Sequence, residues 1–129
     1  MALNLALDVN RYVDFSKDVP QVVEVLQSAQ RISLPYIVLG TLRAGFRRGS
    51  RSQRNERRLA EFLQSHRVDV LFADEATTHF YALINMELRQ AGTPIPTNDI
   101  WIAALVLQHD LVLFSRDRHF DRVPRIPRI

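Results

Sequence analysis

The chain has no cysteine and only one lysine, Lys17, among its 129 residues. Without cysteine it can form neither disulfide bonds nor a thiolate metal site, so a cytoplasmic protein is the expected setting. It also has no apolar run long enough to cross a bilayer, and residues 1–4 lack the basic start of a signal peptide. We therefore expect neither a disulfide scaffold nor a membrane protein.

The composition that remains is that of an ordinary folded protein. Hydrophobic residues make up 47% of the chain and charged residues 24%, which is too apolar and too mixed in charge for disorder. The length suffices for one core, so we expect a single domain over residues 1–129. The basic residues are almost all arginine, which forms forked contacts with phosphate and carboxylate groups.

Short apolar runs alternate with segments of helical spacing along the chain. Strands are predicted near residues 3–7, 32–34, 68–72 and 111–114, with helices between them. The last run is apolar without alternation, and the segment 100–107 is apolar almost all round, so both are expected to be buried. The pattern predicts an α/β three-layer sandwich whose central, mostly parallel sheet has four to five strands flanked by helices.

Several local signals set expected boundaries. Residues 8–10 are expected to form a polar turn after the first strand. Asp18 is expected to cap the next helix, which has a proline in its first turn. Asp74 is expected to cap a later helix, and Gly92 is expected to end it.

Three aspartates are expected to meet at one edge of this sheet. Asp8 ends the first strand, Asp117 follows the fourth, and Asp99 lies at the start of the buried helix. The working site of an open α/β sheet lies beyond the carboxyl ends of its strands. Carboxylates brought together there repel one another unless a cation lies among them, and oxygen ligands suit Mg²⁺ or Mn²⁺. One or two such ions could activate water for attack on a phosphodiester; the plainer alternative is that each aspartate is only a cap.

Four motifs carry a family resemblance that covers nearly the whole chain in order. They are L-D-V-N at 7–10, L-G-T-L-R-A-G-F-R-R-G at 39–49, G-T-P-I-P-T-N-D-I-W-I-A-A at 92–104 and S-R-D-R-H-F at 115–120. Together they closely resemble PIN-domain ribonucleases, and in particular the toxins of VapBC-type toxin–antitoxin pairs.

The resemblance implies a PIN-like fold and a metal-dependent endoribonuclease toxin of a type II toxin–antitoxin system. It implies that Asp8, Asp99 and Asp117 bind Mg²⁺ or Mn²⁺ and are catalytic. It also implies an RNA substrate, a homodimer and a cognate antitoxin that covers the site. The residues expected to support the ligands are Asn10, Asn98, Ser115 and Asp121.

One position departs from the family pattern. The pattern reads L-G-E-L-R, whereas this chain has Thr41 in place of the glutamate. A hydroxyl is a weak neutral ligand, so the site would attract divalent cations less strongly. Three explanations stay open: an introduced inactivating change, a natural substitution that weakens or silences the enzyme, or a nearby acid, Asp14 or Asp121, in its place. The alternative function is a catalytically silent PIN scaffold that binds RNA or its antitoxin without cleaving.

Arginines concentrate in two stretches that are expected to bind RNA or the antitoxin. A solvated helical face is the third interpretation of the first stretch, and phosphate binding there would weaken with added salt. The residues concerned are Arg43, Arg47, Arg48 and Arg51 in the first stretch, and Arg116 and Arg118 beside Asp117.

Two other side chains near the aspartates are assigned to packing. His119 is expected to pack with Phe120 beneath the site, with a proton carrier as the alternative. Trp101 is expected to belong to the core. No histidine has metal-ligand spacing with another histidine, so zinc is not expected.

The departure at position 41 gives a direct test. Thr41→Glu is expected to raise Mn²⁺-dependent RNA cleavage over that of the parent chain, because it restores a fourth carboxylate to the site. Cleavage of a single-stranded RNA, followed by gel electrophoresis, measures the difference. Equal rates in the two proteins would show that this position does not matter.

Overall fold

The computed structural model describes residues 2–129. Met1, the first of the four residues expected to lack the basic start of a signal peptide, lies outside the described residues. The strands are β1 (Asn4–Leu7), β2 (Arg31–Pro35), β3 (Val68–Leu71) and β4 (Val112–Phe114). The helices are α1 (Val9–Ser16), α2 (Pro20–Ser28), α3 (Tyr36–Arg48), α4 (Ser52–Gln64), α5 (Glu75–Ala91) and α6 (Thr97–Gln108). A short 3₁₀ helix, Arg118–Arg122, follows β4.

The four strands form one parallel sheet in the order β3-β2-β1-β4. The chain's tail returns to its edge, where Arg128 makes an isolated parallel bridge with Leu113. Six helices flank the sheet, which confirms the predicted α/β sandwich with a mostly parallel sheet of four to five strands.

The strand order contains one reversal. From β1 the chain moves to β2 and then β3 on one side, and it returns to place β4 on the other side of β1. With the right-handed crossovers usual between parallel strands, this order is expected to place α1–α4 on one face and α5–α6 on the other. The reversal makes the carboxyl ends of β1 and β4 a topological switch point, the place where open α/β sheets bind ligands.

Helix α1 replaces the polar turn expected at residues 8–10, so that prediction was wrong. Asp8 is its N-cap, and its side chain accepts from the Val9 backbone N–H. The apolar side of α1 packs an aromatic cluster, with ring centroids 5.3 Å apart between Tyr12 and Phe62 and between Phe15 and Phe62. Because these partners come from α4, far along the chain, the short and mostly polar start of α1 gave little local sign of a helix.

Other helix ends divide between confirmed and wrong predictions. Asp74 and Thr77 form a capping box at the start of α5, and Gly92 ends that helix in the left-handed conformation, as predicted. Asp18 does not cap α2, since Val19 holds that position without a side-chain cap bond. Asp18 instead adopts a positive φ of 57° in the turn before it.

The interior is continuous from the sheet into α6. Within α6, Ile100 and the run from Ile102 to Val106 are buried, which confirms that this helix is apolar because it is enclosed. The largest fully buried side chains also include Phe120 from the 3₁₀ helix. In residues 2–129, no helix combines the length and apolarity that crossing a bilayer requires.

The end of α5 offers a test of backbone conformation free of packing changes. At Gly92, φ is +68° and an added Cβ would meet nothing within 4 Å. Gly92→Ala is therefore expected to lower the free energy of unfolding by about 1–2 kcal/mol through left-handed strain alone. Gly40→Ala is the control, because Gly40 is helical and equally uncrowded. That control should be neutral or stabilising by up to about 1 kcal/mol in denaturant unfolding; equal losses in both would contradict the assignment.

Candidate metal centre

The switch point brings two aspartates together on adjacent strands. Asp8 directly follows β1, and Asp117 lies just beyond β4. The Asp8 backbone N–H donates to the Phe114 carbonyl at 3.2 Å, so the two strands stay paired up to the first carboxylate. Asp99 reaches the same region from the first turn of α6. All three predicted acids therefore converge at one edge of the sheet.

Asp8 is the most enclosed of the three, with 5% of its surface exposed. Its Oδ1 accepts from the Val9 N–H at 2.8 Å, and its Oδ2 accepts from the Ser115 hydroxyl at 2.6 Å. The Asn10 amide lies 3.4 Å from both Asp8 Oδ2 and Ser115 Oγ. Asn10 and Ser115 thus contact the first acid, and they hold its carboxylate in one orientation.

The other two acids are joined through His119. Its Nδ1 lies 2.8 Å from Asp99 Oδ2 and 3.3 Å from Asp117 Oδ1. Carboxylates only accept, so these contacts require the proton on Nδ1. Asp117 also accepts from the His119 backbone N–H at 2.9 Å, which caps the 3₁₀ helix. The prediction that His119 packs beneath the site was wrong, because the turn of the 3₁₀ helix aims its ring at the carboxylates while Phe120 alone enters the core.

One hydrogen-bonded chain links all of these groups. Ser115 Oγ donates to Asp8 and accepts from the Asp117 N–H at 3.1 Å, which connects the buried acid to the half-buried pair, Asp99 and Asp117. Ligand atoms of Asp99, Asp117 and His119 all lie within 4.8 Å of one another. Because the His119 Nδ1 is engaged with the two carboxylates, Asp99 and Asp117 are the members of this group that could hold a single ion, and their oxygens fit a hard divalent cation. Asp8 borders this group without belonging to it.

Two of the three acids, Asp8 and Asp99, have raised pKa values. Burial raises the pKa of Asp8, and the nearby Asp117 carboxylate adds to this, while hydrogen bonds from Ser115 and Val9 act in the opposite direction. Burial likewise raises the pKa of Asp99, with further contributions from Asp117 and Asp8 and opposition from His119. Ionised carboxylates under such conditions gain most from a cation placed among them.

The remaining predicted acids and Thr41 have other contacts. Thr41 is exposed on α3, and its hydroxyl donates to the Ile37 carbonyl of the same helix at 2.9 Å. Asp14 forms ion pairs with Arg11 and Arg116, and the hydrogen bond from Arg116 is the main cause of its lowered pKa. Asp121 pairs with Arg128 at 2.7 Å. Asn98 is exposed in the first turn of α6.

The predicted arginines lie in two different settings. Arg116 is fixed beside the acids, since its Nε and a terminal nitrogen contact the two Asp14 oxygens at 3.1 and 3.2 Å. Arg43 pairs with Glu56 of α4 at 2.8 Å, so this part of the first stretch is neutralised by its neighbour. Arg47, Arg48, Arg51 and Arg118 are exposed, as are the paired Arg43 and Arg116.

His119 is the site residue that sequence reasoning missed. The available signal was its position two residues after Asp117, at the start of a short turn. Trp101 contacts the Tyr81 ring at a centroid distance of 4.2 Å and is partly buried between α5 and α6. Its place between helices agrees with the packing role expected of it.

Comparison with known proteins identifies the family. The family model described as PIN domain matches residues 8–126. The chain therefore belongs to the PIN-domain family, which confirms the resemblance drawn from its motifs.

Named relatives narrow the comparison to one group of that family. Ribonuclease VapC4 of Mycobacterium tuberculosis is 32% identical over 90 residues, covering 70% of this chain and 69% of the relative. Ribonuclease VapC1 of Haemophilus influenzae (strain R2866) is 30% identical over 122 residues, covering 91% and 90%. The crystal structure of DNA-bound VapBC from Salmonella typhimurium matches with a TM-score of 0.87 at 27% identity, covering 98% of this chain and 97% of that one.

The raised pKa of Asp8 predicts how the metal-free protein responds to pH. Since the folded-state value lies above the ordinary 3.8, the folded chain binds extra protons between those values, and stability falls as pH rises through that interval. Asp8→Asn, which keeps the N-cap, is therefore expected to raise the free energy of unfolding at neutral pH in EDTA, with the gain fading as the pH approaches 3.8.

Denaturant unfolding across this pH range measures the effect. Asp69→Asn is the matched control, because Asp69 forms an exposed ion pair with Arg31 and should give no gain. An Asp8→Asn protein less stable than the parent at neutral pH would contradict the sign.

Proposed function

We propose that this chain is a metal-dependent endoribonuclease, the toxin of a type II toxin–antitoxin pair of the VapBC kind. The observation that carries the proposal is the convergence of Asp8, Asp99 and Asp117 at the switch point, joined by hydrogen bonds through Ser115 and His119. The relatives named as VapC ribonucleases support the reaction class.

The proposed cofactor is Mg²⁺ or Mn²⁺, as one or two ions. Asp99 and Asp117 would hold it directly, and Asp8 would supply the third carboxylate from the adjoining strand end. When bound, such an ion lowers the pKa of a coordinated water and neutralises charge on a phosphodiester. The repulsion among the acids supports a cation at this position.

The chain's own side chains would orient these ligands. Ser115 and Asn10 hold the Asp8 carboxylate, leaving it little rotational freedom before metal or substrate arrives. His119 holds the Asp99 carboxylate in the same way. Residues that hydrogen-bond the metal ligands commonly set the orientation of those ligands and the metal affinity. Asn98, exposed beside Asp99, would contact substrate or water, whereas Asp121 would contribute only through its ion pair with Arg128.

Thr41 would weaken this centre relative to the family pattern. Its hydroxyl is neutral and is engaged by the Ile37 carbonyl, so it offers a metal little in place of a carboxylate. Asp14 is a poor substitute because two arginines already neutralise it. We therefore expect low activity in this chain, whether the threonine is natural or introduced.

The second candidate is a silent scaffold that binds RNA or its antitoxin without cleaving, and the contact made by Thr41 favours it. An Mn²⁺ cleavage assay separates the two, with Asp8→Asn as the inactive reference. Cleavage by the parent that disappears in Asp8→Asn supports the enzyme. Absence of cleavage in both, and in Thr41→Glu, leaves the scaffold. Thr41→Gln, matched in size but uncharged, should behave like the parent.

The proposed partners are RNA, a cognate antitoxin and a second copy of the chain. The VapBC neighbours are toxin–antitoxin complexes, which supports an antitoxin partner. Arg116 and Arg118 flank Asp117 in the chain and suit either an RNA phosphate or an antitoxin carboxylate, and Arg116 would exchange its ion pair with Asp14 for that contact. The exposed Arg47, Arg48 and Arg51 lie around the α3–α4 turn and form the second candidate contact surface.

Metal binding tests the centre without reference to catalysis. Isothermal titration with Mn²⁺ is expected to show binding to the parent chain and a loss of at least about 100-fold in affinity for Asp99→Asn combined with Asp117→Asn. The reason is that loss of a residue that only hydrogen-bonds a metal ligand already lowers metal affinity by about 10- to 100-fold. Asp69→Asn should bind like the parent. Unchanged Mn²⁺ affinity in the double variant would remove the proposed centre.

A further inference from the structure

Two exposed aromatic rings stand at the same edge of the sheet as the carboxylates. Tyr36 directly follows β2 and Phe72 directly follows β3. Within residues 2–129, the exposed large hydrophobic side chains are Tyr36, Phe72, Met86 and Ile129, and Phe72 is 67% exposed. The two aromatic members lie against each other, with ring centroids 6.2 Å apart and planes only 21° from parallel. Such a pair offers a flat π surface to solvent.

The register of the sheet sets the distance from this pair to the acids. Ala6 pairs with Ser33, so Asp8 lies level with Pro35, and Pro35 in turn pairs with Leu71. The rings therefore begin one residue beyond the row that contains Asp8. Two strand spacings separate β1 from β3, a lateral distance of about 10 Å. Asp117 follows β4, which lies three strand spacings, about 14 Å, from β3. A nucleotide one or two positions along from a phosphate held at Asp99 and Asp117 would therefore lie within reach of the rings.

Resting on the proposed ribonuclease function, we propose that Tyr36 and Phe72 form a stacking platform for an unpaired base of the RNA substrate, close to the bond that is cleaved. Base–aromatic stacking needs only an accessible π face and no hydrogen-bond donor or acceptor. Sequence-tolerant capture of single-stranded RNA commonly uses such rings beside basic side chains. The platform positions the strand, while the carboxylates act on its backbone.

The surroundings of the platform favour a base over a protein partner. A protein interface needs an apolar core within roughly 800 Å² on each side, and two rings by themselves provide too little. The adjoining acid, Asp74, is already engaged by Thr77 and Gln108, so its carboxylate is partly neutralised. The platform also shares its sheet edge with the candidate metal centre, which places it along the path of a bound strand.

The test is RNA binding in EDTA, so that it does not depend on cleavage. Fluorescence anisotropy with a short labelled single-stranded RNA at low salt compares the parent with Phe72→Ala, Tyr36→Ala, Phe72→Leu and Phe72→Trp. The alanine variants are expected to bind about 5- to 100-fold more weakly, the range given by loss of one base–aromatic stack. Phe72→Leu should also bind weakly, and Phe72→Trp should bind like the parent.

Two controls keep the result specific. Met86→Ala removes another exposed large apolar side chain, from α5, and should leave affinity unchanged. An RNA backbone without bases should bind the parent and Phe72→Ala equally. The proposal is overturned if the parent shows no RNA binding, if Phe72→Ala binds like the parent, or if Phe72→Leu keeps full affinity. It is also overturned if the alanine variants change only the molar mass in solution or the affinity for an antitoxin, since the rings would then contact protein.

Failure of the stacking platform can be distinguished from failure of the proposed ribonuclease function. Loss of RNA binding in Phe72→Ala without Mn²⁺-dependent cleavage by any variant keeps the platform and removes the enzyme. Cleavage with no effect of Phe72 or Tyr36 keeps the enzyme and removes the platform.

Discussion

Repulsion among three carboxylates is the interaction around which this structure is arranged. Asp8 is almost enclosed; burial raises the pKa of Asp8 and of Asp99, and the nearby Asp117 carboxylate raises both further. The fold maintains this arrangement because each acid is tied to backbone or side-chain donors that do not depend on a ligand. The Ser115 hydroxyl donates to Asp8 and accepts from the Asp117 backbone N–H, and His119 contacts both Asp99 and Asp117. A site built in this way would be prepared for the proposed cation before it arrives.

The parallel sheet is what makes such a site possible. Its strand order reverses between β1 and β4, so the carboxyl ends of those strands form a switch point of the kind at which open α/β sheets bind ligands. The neighbouring strands β2 and β3 end at the same edge and expose Tyr36 and Phe72 there. Acids and aromatic rings thus share one surface because four strands point the same way, and this gives the two proposed contacts with RNA a common origin.

Much of the framework follows from local patterns that tertiary contacts do not overrule. The apolar runs of β1 and β4, the all-round apolar α6, the Asp74 cap and the Gly92 stop are each readable because burial and backbone conformation restrict which residues fit. Helix α1 was not predicted because the side chain that it packs against, Phe62, belongs to α4. The supposed cap at Asp18 failed because a nearby turn uses that residue at positive φ.

The sequence by itself determined which chemical groups the protein carries and which family it belongs to. The three acids, the threonine at position 41 and the family motifs are all read directly from the chain. Only the tertiary structure decided that His119 joins the acids, that Asp14 holds Arg116, and that Tyr36 lies against Phe72. The physical reason is that these contacts join residues from different elements. Local spacing states where each side chain is attached, but the packing of strands and helices decides which of them meet.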